Sequence, residues 1–241
     1  MSIFNIFRKK TSDENISPVI SKNSTIKDIQ LLFQTPPDKR DALWIEEFNI
    51  SIRKYGFKKT NPEIFEDRTG MSYLNFTLDN QENEGVEKHI EYCLQNGNGI
   101  SINGIKQHSD WTFTYGELLD YYINGSFYTN QISKPFIGNV IDKYFYNQET
   151  TIGQPSEFFL PKAARIQIKS LLKSFGLENI KIALIWFRQD NRLTLAFDIV
   201  PEMFLNPTDD LLKSLLHFIK WYLPNHYETI FVKGNEDFEL L

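Results

Sequence analysis

One order of elements is legible twice along this chain, and it limits the folds the chain can adopt. Residues 161–232 follow the pattern helix–strand–strand–helix–strand, and residues 38–102 follow the same pattern. In the second half, Pro161 to Phe175 places Ala164, Ile168, Leu171, Leu172 and Phe175 on one helical face. Pro161 stands at or near the first helical position, where its missing N–H leaves nothing unpaired, and Gly176 supplies the stop. Ile180 to Phe187 is a continuous apolar run and predicts a strand; Gln189–Asn191 is a turn. Leu193, Leu195, Phe197 and Ile199 alternate onto one face of a second strand that runs to Val200. A helix over Pro207–Tyr222, with Thr208 near its start, and a strand over Tyr227–Val232 complete the set, and Asp237–Leu241 is expected to be a tail.

The first half is built from weaker signals. Ser24 or Thr25 is placed to cap a short helix, Ile26 to Phe33, which Pro36-Pro37 interrupts. Leu43, Trp44, Phe48 and Ile52 then mark one face of a helix from about Asp38 to Tyr55, ended by Gly56. Strands are expected over Pro62–Asp67 and Met71–Leu78, a helix over Val86–Leu94 stopped by Gly97-Asn98-Gly99, and a strand over Ile100–Ile102. The fold class is therefore α+β, in two small mixed modules that share an element order without convincing residue identity. The expected division is a flexible segment over 1–25, a first module over 26–103, an aromatic-rich bridge over 104–160 and a second module over 161–241.

The bridge holds the candidate recognition surface. Trp111 to Phe159 contains thirteen aromatics in forty-nine residues, near twice the chain mean of 15%. Such density either fills a core or lines a binding face. Trp111, Phe113 and Tyr115 alternate onto one strand face, Gly116 permits a change of direction, and Glu117 suits the first turn of the helix that follows. One outcome is a core strand with a charge-complemented helix start. The other is an aromatic groove formed by Trp111, Tyr115, Tyr121 and Tyr122, with Glu117 and Asp120 at its rim. Tyr121 and Tyr122 stand about 100° apart on a helix, so at least one must leave the buried line. The expectation is that Tyr122 is exposed and Trp111 buried.

The stretch Gly153-Gln154-Pro155-Ser156-Glu157-Phe158-Phe159-Leu160-Pro161 forces an extended or turn-like entry into the next helix. It lacks a nucleophile elbow, so Ser156 is expected to cap a turn; Gln154 and Glu157 join the candidate binding residues. Lys162, Arg165, Lys169 and Lys173 form a cationic stripe opposite the apolar stripe of that helix. It is either a solvated face or a docking face for an acidic partner.

Several chemistries lack their residues. The histidines, His89, His108, His217 and His226, have no helical metal spacing and there is no Cys-x-x-Cys pair, so no metal site is expected. Gly97-Asn98-Gly99 lacks the Lys and Ser/Thr of a phosphate loop, and no cofactor is expected. A net charge of −5 argues against a general nucleic-acid binder. Cys93 is the one cysteine, so no intramolecular disulfide forms, and a reducing compartment is favoured. No apolar run approaches the ~18 residues of a membrane span, and no secretory apolar core follows the start. Ile3, Phe4, Ile6 and Phe7, followed by Arg8-Lys9-Lys10, make one short apolar face, expected to dock on the protein body or simply to fray rather than to anchor at a membrane surface. A cytoplasmic location is expected.

From Gly153 onward the chain resembles the C-terminal domain of the bacterial enhanced serine sensitivity (SseB) family. The carrying residues are Gly153-x-Pro155-Ser156-Glu157 before Pro161, Asn179 to Ile185, Leu193–Val200, the helix with Leu211, Leu212, Leu215 and Leu216, and Leu223-Pro224. The resemblance spans about 80 residues and implies a cytosolic α+β protein without an established activity or catalytic residues. The expected function is non-enzymatic binding of a protein partner, in an immunity, accessory or regulatory role. The alternative is an enzyme or small-molecule binder with its site between the modules, using Glu117, Asp120 and Glu157 as acids and bases beside Trp111 and Tyr115.

Overall fold

The structure is a computed structural model that describes residues 28–79, 84–104, 109–132, 134–145 and 148–241. The expectations for the N-terminal segment, its apolar face, Ser24, Thr25 and His108 fall outside these residues. The first module contains α1 (Ile29–Phe33), α2 (Ala42–Ile52), β1 (Gly56–Glu66), β2 (Ser72–Asp79), α3 (Glu87–Asn96), β3 (Gly99–Ile102), β4 (Trp111–Phe113) and α4 (Tyr115–Asn124). The second contains β5 (Phe136–Phe145), β6 (Gln148–Pro155), α5 (Lys162–Ser174), β7 (Lys181–Phe187), β8 (Arg192–Asp198), α6 (Asp209–Trp221), β9 (Glu228–Val232) and β10 (Glu239–Leu240). The fold is α+β, with one four-stranded and one six-stranded mixed sheet.

The doubled order is also a doubled topology. In α2–β1–β2–α3–β3 the two strands before the second helix pair antiparallel, and the strand after it returns parallel to its predecessor. The same holds for α5–β7–β8–α6–β9. A parallel return needs a crossover helix, which α3 and α6 supply.

Local chemistry sets most boundaries. Asp28 and Asp41 cap α1 and α2 through the amides of Gln30 and Trp44, and Thr208 caps α6 through that of Leu211. The expected helix from Asp38 is divided: Pro37–Lys39 is a 3₁₀ turn, and α2 starts anew at Ala42. Pro161 is the residue before α5 rather than its first residue. Gly97 and Gly176 take the left-handed conformation just past α3 and α5, as a helix stop requires.

The stretch 104–160 is not an independent bridge. β4 completes the first sheet and α4 packs against β3 and β4, whereas β5 and β6 extend the second sheet. The last residues are not a loose tail either. After β9 the chain doubles back: the Gly234 amide donates to Asp198 Oδ1 at 2.7 Å, Asp237 binds Lys143 of β5 at 2.6 Å, and β10 pairs with Lys181 and Ile182 of β7. Phe238 closes a small apolar cluster with Ile152, Ala183, Ile185, Phe187, Ala196 and Val232. The alternate residues of β7 and β8, including Ile182, Leu184, Leu195 and Phe197, enter the main core. These strands are thus buried on both faces, which explains the continuous apolar run of β7.

That main core runs without interruption from Ile29 through Trp111 to Tyr227, and so spans both modules. Contacts across the seam include Gln167 Nε2 donating to the Gln95 carbonyl at 3.0 Å, and Tyr115 against Tyr222 at 5.2 Å between ring centres.

Candidate functional site

The residues from Trp111 to Asp120 are held by capping and packing. The Glu117 amide donates to Thr114 Oγ1 at 3.1 Å and the Thr114 amide donates to Glu117 Oε2 at 2.8 Å, a reciprocal cap at the start of α4. Glu117 Oε1 accepts from Asn225 Nδ2 of the second module at 3.1 Å. Burial pushes the Glu117 carboxyl up to about 7, against the opposing pull of these hydrogen bonds. Tyr128 lies beside it, its hydroxyl driven well above the ordinary tyrosine value by burial and then by the Glu117 charge.

Trp111 belongs to the core. Its ring stacks on Phe33 at 5.1 Å and leans on Phe48 at 5.1 Å. The Arg40 guanidinium lies 4.5 Å from the Trp111 ring centre and 5.1 Å from that of Trp44, a cation–π contact with both. Tyr115 is fully buried and donates to the Leu94 carbonyl at 3.1 Å. Asp120, also buried, accepts from the Thr129 amide at 2.8 Å, from Thr129 Oγ1 at 2.6 Å and from Asn124 Nδ2 at 2.8 Å. Tyr121 is buried under the Arg53 guanidinium and donates to Glu87 Oε1 at 2.6 Å. Of this group Tyr122 alone reaches solvent substantially, at 36% exposure. The expected aromatic groove is therefore core packing: Trp111, Tyr115 and Tyr121 present no face to a partner, and Asp120 clamps the 125–132 loop.

The three candidate acids are engaged separately. Glu117 is tied to Thr114 and Asn225, Asp120 to Thr129 and Asn124, and Glu157 accepts from the Lys162 amide at 2.8 Å at the entry to α5. Ser156 caps a turn, accepting from the amides of Phe158 and Phe159 at 3.2 Å while donating to the Lys134 carbonyl at 2.6 Å. Gln154 Nε2 donates to the carbonyls of Ile182 at 3.3 Å and Asp237 at 3.0 Å. It thereby bridges the point where β7 exchanges β6 for β10 as its neighbour.

The cationic stripe is split in the same way. Arg165 is turned inward and donates to the carbonyls of Leu160 at 3.0 Å and Pro155 at 2.6 Å. Lys162, Lys169 and Lys173 are exposed. Lys169 and Lys173 flank a groove of about 150 Å³ floored by Leu172, Leu177, Ile180 and Leu241.

Two surfaces escaped the sequence reading. β5 is the edge of the larger sheet, and Ile137, Val140, Ile141 and Tyr144 are 58%, 47%, 44% and 75% exposed. A bulge between Ile137 and Ile141, with Gly138 at positive φ, breaks the two-residue period that would have marked this strand. The second surface is the loop before α6, where Met203 is 45% exposed and Leu205 wholly exposed. Its signal was an apolar Met-Phe-Leu run between Pro201 and Pro207.

Burial also disposes of Cys93, whose thiol is pushed up to about 12 and held away from its reactive ionised form. Among the described residues, no three His, Cys, Asp or Glu side chains gather as metal ligands, and no helix is long and apolar enough to cross a membrane. No family model, no curated protein and no solved structure matches the chain.

Proposed function

We propose that this is a bacterial, cytosolic binding protein without a reaction of its own, and that it engages another protein along the edge of β5. The observation that carries this reading is the character of that edge: ten residues long, with four large apolar side chains in solvent. Unpaired strand edges are templates for a further strand, and soluble proteins usually guard them with charge. Here the two adjacent charges are already paired within the protein. Asp142 is bound by Arg188 and by Thr151 Oγ1, and Lys143 by Asp237. An extended partner segment laid on β5 would gain main-chain hydrogen bonds and apolar contacts together. The resemblance of residues 153–232 to the SseB family supports the same cellular setting and an accessory or regulatory role.

The test is a pull-down from cells of the source organism with the wild-type chain and with the double variant Ile141→Lys/Tyr144→Lys. The wild type is expected to recover a stoichiometric partner and the variant to lose it, with unchanged thermal melts because both side chains are exposed. Recovery of no stoichiometric partner by the wild type, or of the same partner by the variant, removes the proposal.

A second reading, a small-molecule or catalytic site in the seam between the modules, rests on Glu117 and its shifted proton affinity. The observations weigh less for it, because Asp120 and Glu157 are held in other hydrogen-bond networks.

A further inference from the structure

The loop before α6 and the groove beside α5 are complementary in shape and charge. Leu205 stands wholly in solvent at the tip of a loop flanked by Glu202, Asp209 and Asp210, all exposed. The groove offers an apolar floor of Leu172, Leu177, Ile180 and Leu241 beneath Lys169 and Lys173. Its volume of about 150 Å³ is comparable to an apolar cavity that takes up benzene in another protein, and so admits one leucine side chain. Glu178 also lines the groove, so two lysines oppose one acid there, while Glu202 before the loop and Asp209 and Asp210 at the start of α6 place three acids around Leu205. Asp209 and Asp210 suit the first turn of α6, and together with Glu202 they give the surroundings of Leu205 a negative charge that matches the lysines of the groove.

We propose that a second copy of this chain covers the groove, with Leu205 of each copy seated between Lys169 and Lys173 of the other. The loop does not fill the groove of its own chain, since Leu205 is uncovered. The topology favours an exchange between copies. Ile182 at the start of β7 pairs with Phe197 at the end of β8. The groove, which borders Ile180, and the loop, which follows β8, therefore leave the same end of the sheet. A two-fold axis at that end carries each loop to the opposite groove and closes the assembly with both sites used. This inference is independent of binding at β5, which lies on the edge of the sheet.

The test is sedimentation equilibrium of the full chain over a wide concentration range at low and high salt. The wild type is expected to be a dimer that weakens as salt rises, because exposed charge pairs are screened. Leu205→Asp alone and Lys169→Glu/Lys173→Glu together are each expected to give monomers with unaltered thermal melts. Adding Glu202→Lys/Asp209→Lys to the lysine variant exchanges the charges on both surfaces and is expected to restore the dimer. A wild type that stays monomeric throughout overturns the proposal, as does a dimer that survives Leu205→Asp or a charge exchange that fails to restore it. A dimer that survives Leu205→Asp but is lost in Ile141→Lys/Tyr144→Lys would assign self-association to β5 instead and leave the edge-binding reading standing.

Discussion

Trp221 of α6 donates its indole N–H to the Tyr73 hydroxyl of β2 at 3.0 Å, across 148 positions of sequence, with the two rings nearly perpendicular at 5.7 Å. Both residues are buried, and the bond joins the second module to the first sheet. Burial raises the Tyr73 hydroxyl to about 12, so it stays protonated. Tyr73→Phe leaves the indole N–H without its acceptor and is expected to cost about 1–3 kcal/mol. Trp221→Phe is expected to destabilise as well, and the double variant by less than the sum of the two, because one bond serves both. Urea denaturation of the four proteins measures this. Strict additivity would show that the bond does not couple the modules.

Glu117 makes stability depend on pH. Its carboxyl is raised from an ordinary value of 4.5 to about 7 in the folded protein. Between those values the folded chain holds a proton that the unfolded chain has released. Stability due to this group is therefore full below about 4.5, falls as pH rises to about 7, and is level above it. The expected loss is roughly 3 kcal/mol. Glu117→Gln retains an acceptor for the Thr114 amide and removes the titration. Urea midpoints at pH 5 and pH 8 should differ by less in this variant than in the wild type, and an equal difference in both would assign the proton to another group.

Gly116 lies within α4, where alanine would ordinarily be favoured by about 1 kcal/mol. A Cβ at this position would overlap the backbone of Leu223 in the loop after α6. The glycine thus permits close approach of the modules, rather than the change of chain direction expected from sequence. Gly116→Ala is expected to destabilise by about 1–3 kcal/mol. A gain in denaturation midpoint would mean that the Leu223 loop can yield.

Trp111 and Tyr122 separate core from surface. Trp111 is 6% exposed and touches Phe33, Phe48 and Arg40, so Trp111→Ala is expected to cost roughly 3–5 kcal/mol. Tyr122 is 36% exposed, and Tyr122→Ala is expected to cost about 1 kcal/mol or less. Thermal melts decide this, and equal losses would place Tyr122 in the core beside Trp111.

What the sequence by itself determined is local. The periods of α5, α6, β7 and β8, the glycine stops after α3 and α5, and the Thr208 cap depend on residues within one or two turns of each other, so they are legible wherever the chain goes. The doubled element order followed from them, and so did the burial of Trp111 and the exposure of Tyr122. Tertiary structure decided the rest, because pairing and burial depend on partners far away in the chain. Glu117 has its altered proton affinity because the fold half-buries it beside Tyr128 and Asn225. Gln154 and Glu239 serve β7 because Lys181 and Ile182 lie where β6 has stopped pairing. Arg165 left the cationic stripe because carbonyls of Pro155 and Leu160 were within reach. Among the described aromatics between Trp111 and Phe159, Trp111, Phe113 and Phe127 entered the shared core while Tyr144 stands exposed on the β5 edge, a choice set by where each segment packs and not by the residues' own polarity.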